Sequence, residues 1–229
     1  LNMIKKLLSA FLVTCSVSVF AQDNYTEIYS IFQAKCIGCH GATSPSGLLN
    51  LTESTPTNVY NALVNATPTN PIASAKGNKR VMPGDPFRSF LYRKLIQHSA
   101  VDAFTHLETN GSEGSNMPQY PNAPLTNYEV ELIRQWILEG AHSSGTEVNT
   151  DLINTFYTEG GLNMNPVIPA APLAGEGVQY HFGRIFLAPA TEREVFLKIN
   201  PMITAGMEIH KIEVLTPQQT HHFVMYKFY

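Results

Sequence analysis

Apolar residues Ile28, Ile31 and Phe32 recur at helical spacing behind Asn24-Tyr25-Thr26-Glu27, which has the form of a capping box. This predicts a helix running up to Cys36. Residues 41–58 are rich in Gly, Ser, Thr and Pro and read as loop, and a short helix is expected at about 59–64. Pro83-Gly84-Asp85-Pro86 marks a turn, with Asp85 as N-cap and Pro86 in the first helical position; Phe87, Leu91 and Leu95 would share one face of the helix it opens. Residues 107–124 form a second long loop. Thr126-Asn127-Tyr128-Glu129 is another capping box, followed by the stripe Val130, Ile133, Trp136 and Ile137, with Gly140 as the stop. Small, polar and Pro residues dominate 142–175, with a linker-like stretch between 163 and 175. Farther on, 179–187, 194–199 and 212–229 alternate apolar and polar positions and are β-rich, which predicts a module of a different type.

The N-terminal pattern adds a destination. Met3-Ile4-Lys5-Lys6 is a short positive region, an apolar run covers 7–20, and Val19-Phe20-Ala21 precedes Gln22 in the secretory cleavage pattern. The run is too short to span a bilayer comfortably, so we expect a removed signal peptide over 1–21 and no stable membrane span thereafter. The expected location is exported, periplasmic or extracellular, of bacterial type. Thr14 before Cys15 is a poor lipoprotein box, so lipid anchoring at Cys15 is not expected. Leu1-Asn2 ahead of Met3, and an alternating run still in progress at Phe228-Tyr229, lead us to expect a gene fragment open at one end or both. The expected division is a helical domain over 22–142, a linker and irregular start of the next module over 143–175, and a β-rich segment over 176–229.

Composition excludes some classes. A chain of 229 residues allows one or two domains, and 44% hydrophobic content can build a core. A net charge of -3 with no Lys/Arg run gives no reason to expect nucleic acid.

Cysteine usage carries the chemistry. There are three, and Cys15 leaves with the signal peptide, so the mature chain keeps only Cys36 and Cys39. Cys36-Ile37-Gly38-Cys39-His40 is the attachment motif of a c-type haem. Two thiols separated by two residues reach the two vinyl groups on one porphyrin edge, and the next residue lies beneath the ring, where its imidazole ligates iron. A redox dithiol would sit in a βαβ pattern, which is absent, and a zinc site would need ligands that the neighbourhood lacks. Met82 and Met117, each followed by Pro, are the candidates for the sixth iron ligand. Met117 is preferred, because its Gly/Ser-rich loop directly precedes the capped helix and can fold over the haem face opposite His40. His/Met ligation raises the reduction potential and suits electron transfer, whereas an open sixth position suits small-molecule chemistry.

From about Tyr25 to Ala141 the chain resembles the planctomycete-type cytochrome c domain. The matching residues are Cys36–His40, Ser46-Gly47-Leu48-Leu49-Asn50-Leu51, Val81-Met82-Pro83-Gly84-Asp85-Pro86 with Ser89, Met117-Pro118, and Trp136-Ile137 with Gly140-Ala141. The resemblance implies a cytochrome c fold with first and last helices packed across each other. It also implies Met117 as iron ligand, Met82 as a turn residue and Trp136 packing near the haem.

In the tail, Thr220-His221-His222-Phe223-Val224-Met225-Tyr226 sets two histidines at the start of an apolar strand. Strand neighbours point to opposite faces, so the pair chelates only at a strand end or bulge. Residues of about 149–229 resemble the opening of a copper type II, ascorbate-dependent monooxygenase domain, through Tyr180-His181-Phe182 and His221–Tyr226. That resemblance implies copper at His221 and His222, with the remaining ligands beyond Tyr229, so that the segment itself would hydroxylate nothing. The fold expected is therefore a mainly α cytochrome c fold followed by an incomplete all-β, sandwich-type segment. The function expected is one-electron transfer by one covalent haem, to a redox partner protein or to the chain's own copper domain. Two alternatives stand beside it: a haem-based enzyme or ligand sensor, and a cytochrome with a non-catalytic β-sandwich binding tail.

Overall fold

The computed structural model describes residues 23–53, 55–96, 113–119 and 121–158, and in the C-terminal part 170–173, 175–180, 185–186, 192–195, 208–216 and 223–226. The expected signal segment with Cys15, the histidines His181, His221 and His222, and Phe182 lie outside the described residues.

Helix α1 covers Asn24–Lys35. Its N-cap is Asp23, one residue before the expected cap, and the Asp23 carboxylate accepts from the Tyr25 N–H at 3.0 Å. Asn24 is free of capping duty because its amide is used elsewhere. It donates to the Val148 carbonyl at 3.2 Å and accepts from the Val148 N–H at 2.9 Å. Tyr25, Ile28, Ile31 and Phe32 form the buried face. Helix α2, Pro56–Leu63, starts earlier than expected because Thr55 caps it and Pro56 takes the first turn, where a missing N–H costs nothing. Asn70 and Pro71 open the short α3, Pro71–Ala75, in the same way.

The Pro-Gly-Asp-Pro turn forms as expected, with the Asp85 carboxylate accepting from the Arg88 N–H at 3.0 Å, but it opens only a single 3-10 turn, Pro86–Arg88. Helix α4, Phe90–Leu95, follows after Ser89. The buried Ser89 hydroxyl accepts from the Met82 N–H at 2.8 Å and donates to the Asp85 carbonyl at 2.8 Å, which closes the turn on itself. Gly84, at φ +78°, donates its N–H to the Ile137 carbonyl at 2.7 Å and docks the turn on the next helix.

That helix, α5, spans Asn127–Leu138 and carries the full capping box between Thr126 and Glu129. It ends in a Schellman motif: Gly140, at φ +102°, donates to Ile137 and Ala141 donates to Trp136. Every residue from Val130 to Leu138 is buried, because α1, α4 and the final helix all pack on α5. A helix enclosed on all sides must satisfy its own polar groups. Glu131 does this by accepting from Arg134 at 2.8 Å, Gln135 at 2.6 Å and the Tyr157 hydroxyl at 3.2 Å. Tyr157 belongs to α6, Thr150–Thr158, which lies inside the segment expected as linker. Asn149 accepts from Leu152 N–H at its start, and Ile153 is fully buried.

The expected fold class requires correction. Among the described residues there is no strand, only the isolated bridges Val64–Val81 and Lys79–Ser89, so the all-β segment over 176–229 is overturned. Alternation makes a strand only when a second strand supplies the ladder and a core covers one face. Here neither face is covered: Ile209 and Ile212 are 65% and 58% exposed, and Val214, Leu215 and Phe223–Tyr226 are exposed as well. Where the tail touches the helices it does so singly. Phe186 packs edge-on to Phe156, and Arg193 donates to the Glu139 carboxylate and the Leu138 carbonyl. Helix α1 packs on α5, but the composite architecture expected is not seen among the described residues. No helix among the described residues is long and apolar enough to cross a membrane.

Candidate functional site

Helix α1 ends at Cys36, whose N–H still donates to the Phe32 carbonyl. Cys39 and His40 then both donate backbone N–H groups to the Cys36 carbonyl, at 3.2 and 3.0 Å, which folds the five-residue motif into one tight turn. Gly41 follows where a Cβ would lie 2.9 Å from the Ile37 carbonyl oxygen, so a side chain there would push the turn open. Both thiols are free. Cys39 is exposed, while Cys36 is half-buried against the core. Burial pushes the Cys36 thiol up to about 11, and the nearby Glu129 and Cys39 charges add to the effect.

Two elements hold His40. Its carbonyl accepts from Leu51 N–H at 2.7 Å, and its Nδ1 lies 3.2 Å from the Leu49 carbonyl. A carbonyl only accepts, so Nδ1 carries the proton and, in the neutral ring, Nε2 presents a lone pair. This explains the Ser46–Leu51 stretch. Gly47 turns at φ +62°, Arg80 donates to the Gly47 and Leu48 carbonyls at 3.1 and 3.3 Å, and Leu51 enters the core, so Leu49 is fixed beside the imidazole.

The lone pair of Nε2 faces Met117. Its Sδ is 3.4 Å away, across 77 residues of sequence. Met82 is used differently: its backbone is bound by Ser89 within the turn. Two lone-pair donors set face to face repel unless an acid, a proton or a metal ion, lies between them. Metal–nitrogen and metal–sulfur bonds in proteins are about 2.0 and 2.3 Å, so a shared ion would require this pair to open by roughly 1 Å. The two atoms face each other across that gap. Among the described residues no group of three or more His, Cys, Asp or Glu is placed to hold a metal ion. A haem asks less of the chain, since the porphyrin fills four iron positions and leaves two axial ones. The two free thiols, His40 and Met117 therefore fit that group.

The chain matches no protein-family model, no curated protein and no solved structure.

Trp136 is buried where α1 meets α5. Its ring stacks on Tyr25 at 5.6 Å between centroids, and its indole N–H donates to the His142 carbonyl at 2.8 Å. Tyr25 lies eleven residues before Cys36 on α1, roughly 16 Å along the axis. Trp136 thus pins α1 to α5 at the end away from the thiols.

Sequence reasoning missed the charged group beneath Met117. Glu113 is fully buried and pairs with Lys76 at 3.1 Å and Arg93 at 3.2 Å. The buried Lys94 donates its ammonium protons to the Glu113 and Ser115 carbonyls at 2.6 and 2.9 Å. Nothing local signals this, because the partners come from separate segments, and charges spaced along a chain ordinarily read as surface.

Proposed function

We propose that the chain is a c-type haem protein passing single electrons, with Cys36 and Cys39 as attachment thiols and His40 and Met117 as axial ligands. The observation that carries this reading is the opposition of His40 Nε2 and Met117 Sδ, with Nδ1 already committed to Leu49. When bound, the haem supplies a one-electron couple. The chain's part is to keep both axial positions filled, so that little rearranges between oxidation states, and to hold the imidazole in one tautomer and orientation. A filled sixth position also favours electron transfer over the alternative of ligand sensing or haem-based catalysis. The partner is a redox protein, and an exported location fits the cysteine usage.

The test is expression of the full chain in a host that attaches haem covalently. We expect one haem per chain that resists acid-acetone extraction, a low-spin spectrum, and loss of attachment in Cys36→Ala/Cys39→Ala. Met117→Ala should give a high-spin ferric form and a lower potential. A chain that acquires no covalent haem under these conditions would refute the reading.

A further inference from the structure

Several polar contacts tie the segment 113–117 to charged side chains of the helical body and to the helix that carries two of them. Lys94 Nζ donates to two of its carbonyls, and the Lys94 carbonyl in turn accepts the Met117 N–H at 2.9 Å. The Glu113 carboxylate is gripped by Lys76 and Arg93. Gly114, at φ +82°, supplies the bend, and a Cβ there would come within 3.2 Å of Lys94 Nζ. The Lys94 ammonium also lies 5.0 Å from the centre of the Phe90 ring.

A lysine so buried sacrifices its hydration, and surface charge cannot be its purpose. What it gains is a fixed path for five residues, at the end of which Met117 meets His40. We infer that Lys94, supported by Glu113, is a positioning residue for the sixth haem ligand: it clamps the Met117 segment so that the thioether stays on the axial line. This rests on the haem reading above. A loop thioether is a weak ligand, and without the clamp the segment would spend part of its time swung away, leaving the sixth position open.

The test compares full-length haem-loaded variants by two spectroscopic readouts, the thioether-to-iron charge-transfer band of the ferric form and the rate of carbon monoxide binding to the ferrous form. Lys94→Met should keep its covalent haem, lose most of the band and bind carbon monoxide at least about tenfold faster, since two charge-assisted bonds are removed. Lys94→Arg, which retains charge and donors, should restore much of the band. Tyr157→Phe, which weakens the buried Glu131 network without touching the segment, should leave both readouts at wild-type values. If Lys94→Met keeps the wild-type band and rate while Met117→Ala loses them, the clamp is refuted and the haem reading survives. Equal losses in Lys94→Met and Tyr157→Phe also overturn the clamp, because general loosening then suffices. If Met117→Ala itself changes nothing, the ligand assignment fails and the clamp with it. Should Lys94→Met not fold, the isosteric Glu113→Gln takes its place, and wild-type values in that variant overturn the proposal.

Discussion

Trp136 separates two roles that its position in the sequence leaves mixed, helix pin and haem neighbour. As a pin it contributes three things: a buried ring, a stack on Tyr25, and a hydrogen bond to the His142 carbonyl. Truncating a buried Trp to Ala costs about 3–5 kcal/mol, which already includes the lost ring contacts. Against a typical domain stability of about 5–15 kcal/mol, Trp136→Ala should remove a large share of the stability. Trp136→Phe is the sharper probe. It keeps a ring over Tyr25 but orphans the His142 carbonyl, so we expect a loss of about 1–2 kcal/mol. Urea titration followed by far-ultraviolet circular dichroism measures this as a lower midpoint at unchanged slope. The Soret and charge-transfer bands of the haem-loaded variant should not move. Because the chain has one Trp, its fluorescence in the wild type reports the same α1–α5 contact independently. A Trp136→Phe variant of wild-type stability with a shifted haem spectrum would falsify the assignment of Trp136 as a pin.

Further outcomes follow from single groups. Gly84→Ala should cost about 1 kcal/mol and lower the melting temperature, since Gly84 sits at φ +78° where a Cβ is penalised although no atom blocks it. In haem-free protein, Cys36 should alkylate about a hundredfold more slowly than an ordinary thiol near pH 8, because burial raises its pKa from 9.0 to about 11; mass spectrometry of iodoacetamide-treated protein measures it, and labelling at the ordinary rate would count against a buried Cys36. Burial, with the neighbouring Tyr29 and Tyr60, holds the Tyr25 hydroxyl neutral well above its ordinary range. The folded value exceeds the unfolded one, so this contribution is fully present below pH 10 and is lost as pH rises above it; tyrosinate absorbance from Tyr25 should emerge only as the helices melt.

What the sequence announces and what it hides divide by range. Helix α5 was legible at both ends because its signals are local: the Thr126–Glu129 capping box and the left-handed Gly140 need no other part of the chain. The Cys36–His40 turn was legible for the same reason. The cap of α1 shifted by one residue because Asn24 is engaged by Val148, 124 positions away. Helix α6 hid inside a polar stretch because its support is tertiary, the Tyr157 bond to Glu131 and burial of Ile153 against α5. Nor could the pattern show that Glu113, Arg93 and Lys94 meet beneath Met117. The tail failed in the opposite sense: alternation over 212–229 states a capacity for pairing, and no partner strand answers it among the described residues.

The paired bonds between Asn24 and Val148, joined by Asn24 N–H donating to Gly145 at 2.9 Å, bring the entry and the exit of the α1–α5 unit to one spot. Cys36 lies at the other end of α1, about 18 Å distant. The helical unit thus has one pole where flanking chain comes and goes and another that carries the thiols and His40. On the proposed function, anything fused or immobilised at the first pole would leave the second open to a redox partner, and a linker there would set how far that pole can reach without altering how it is built.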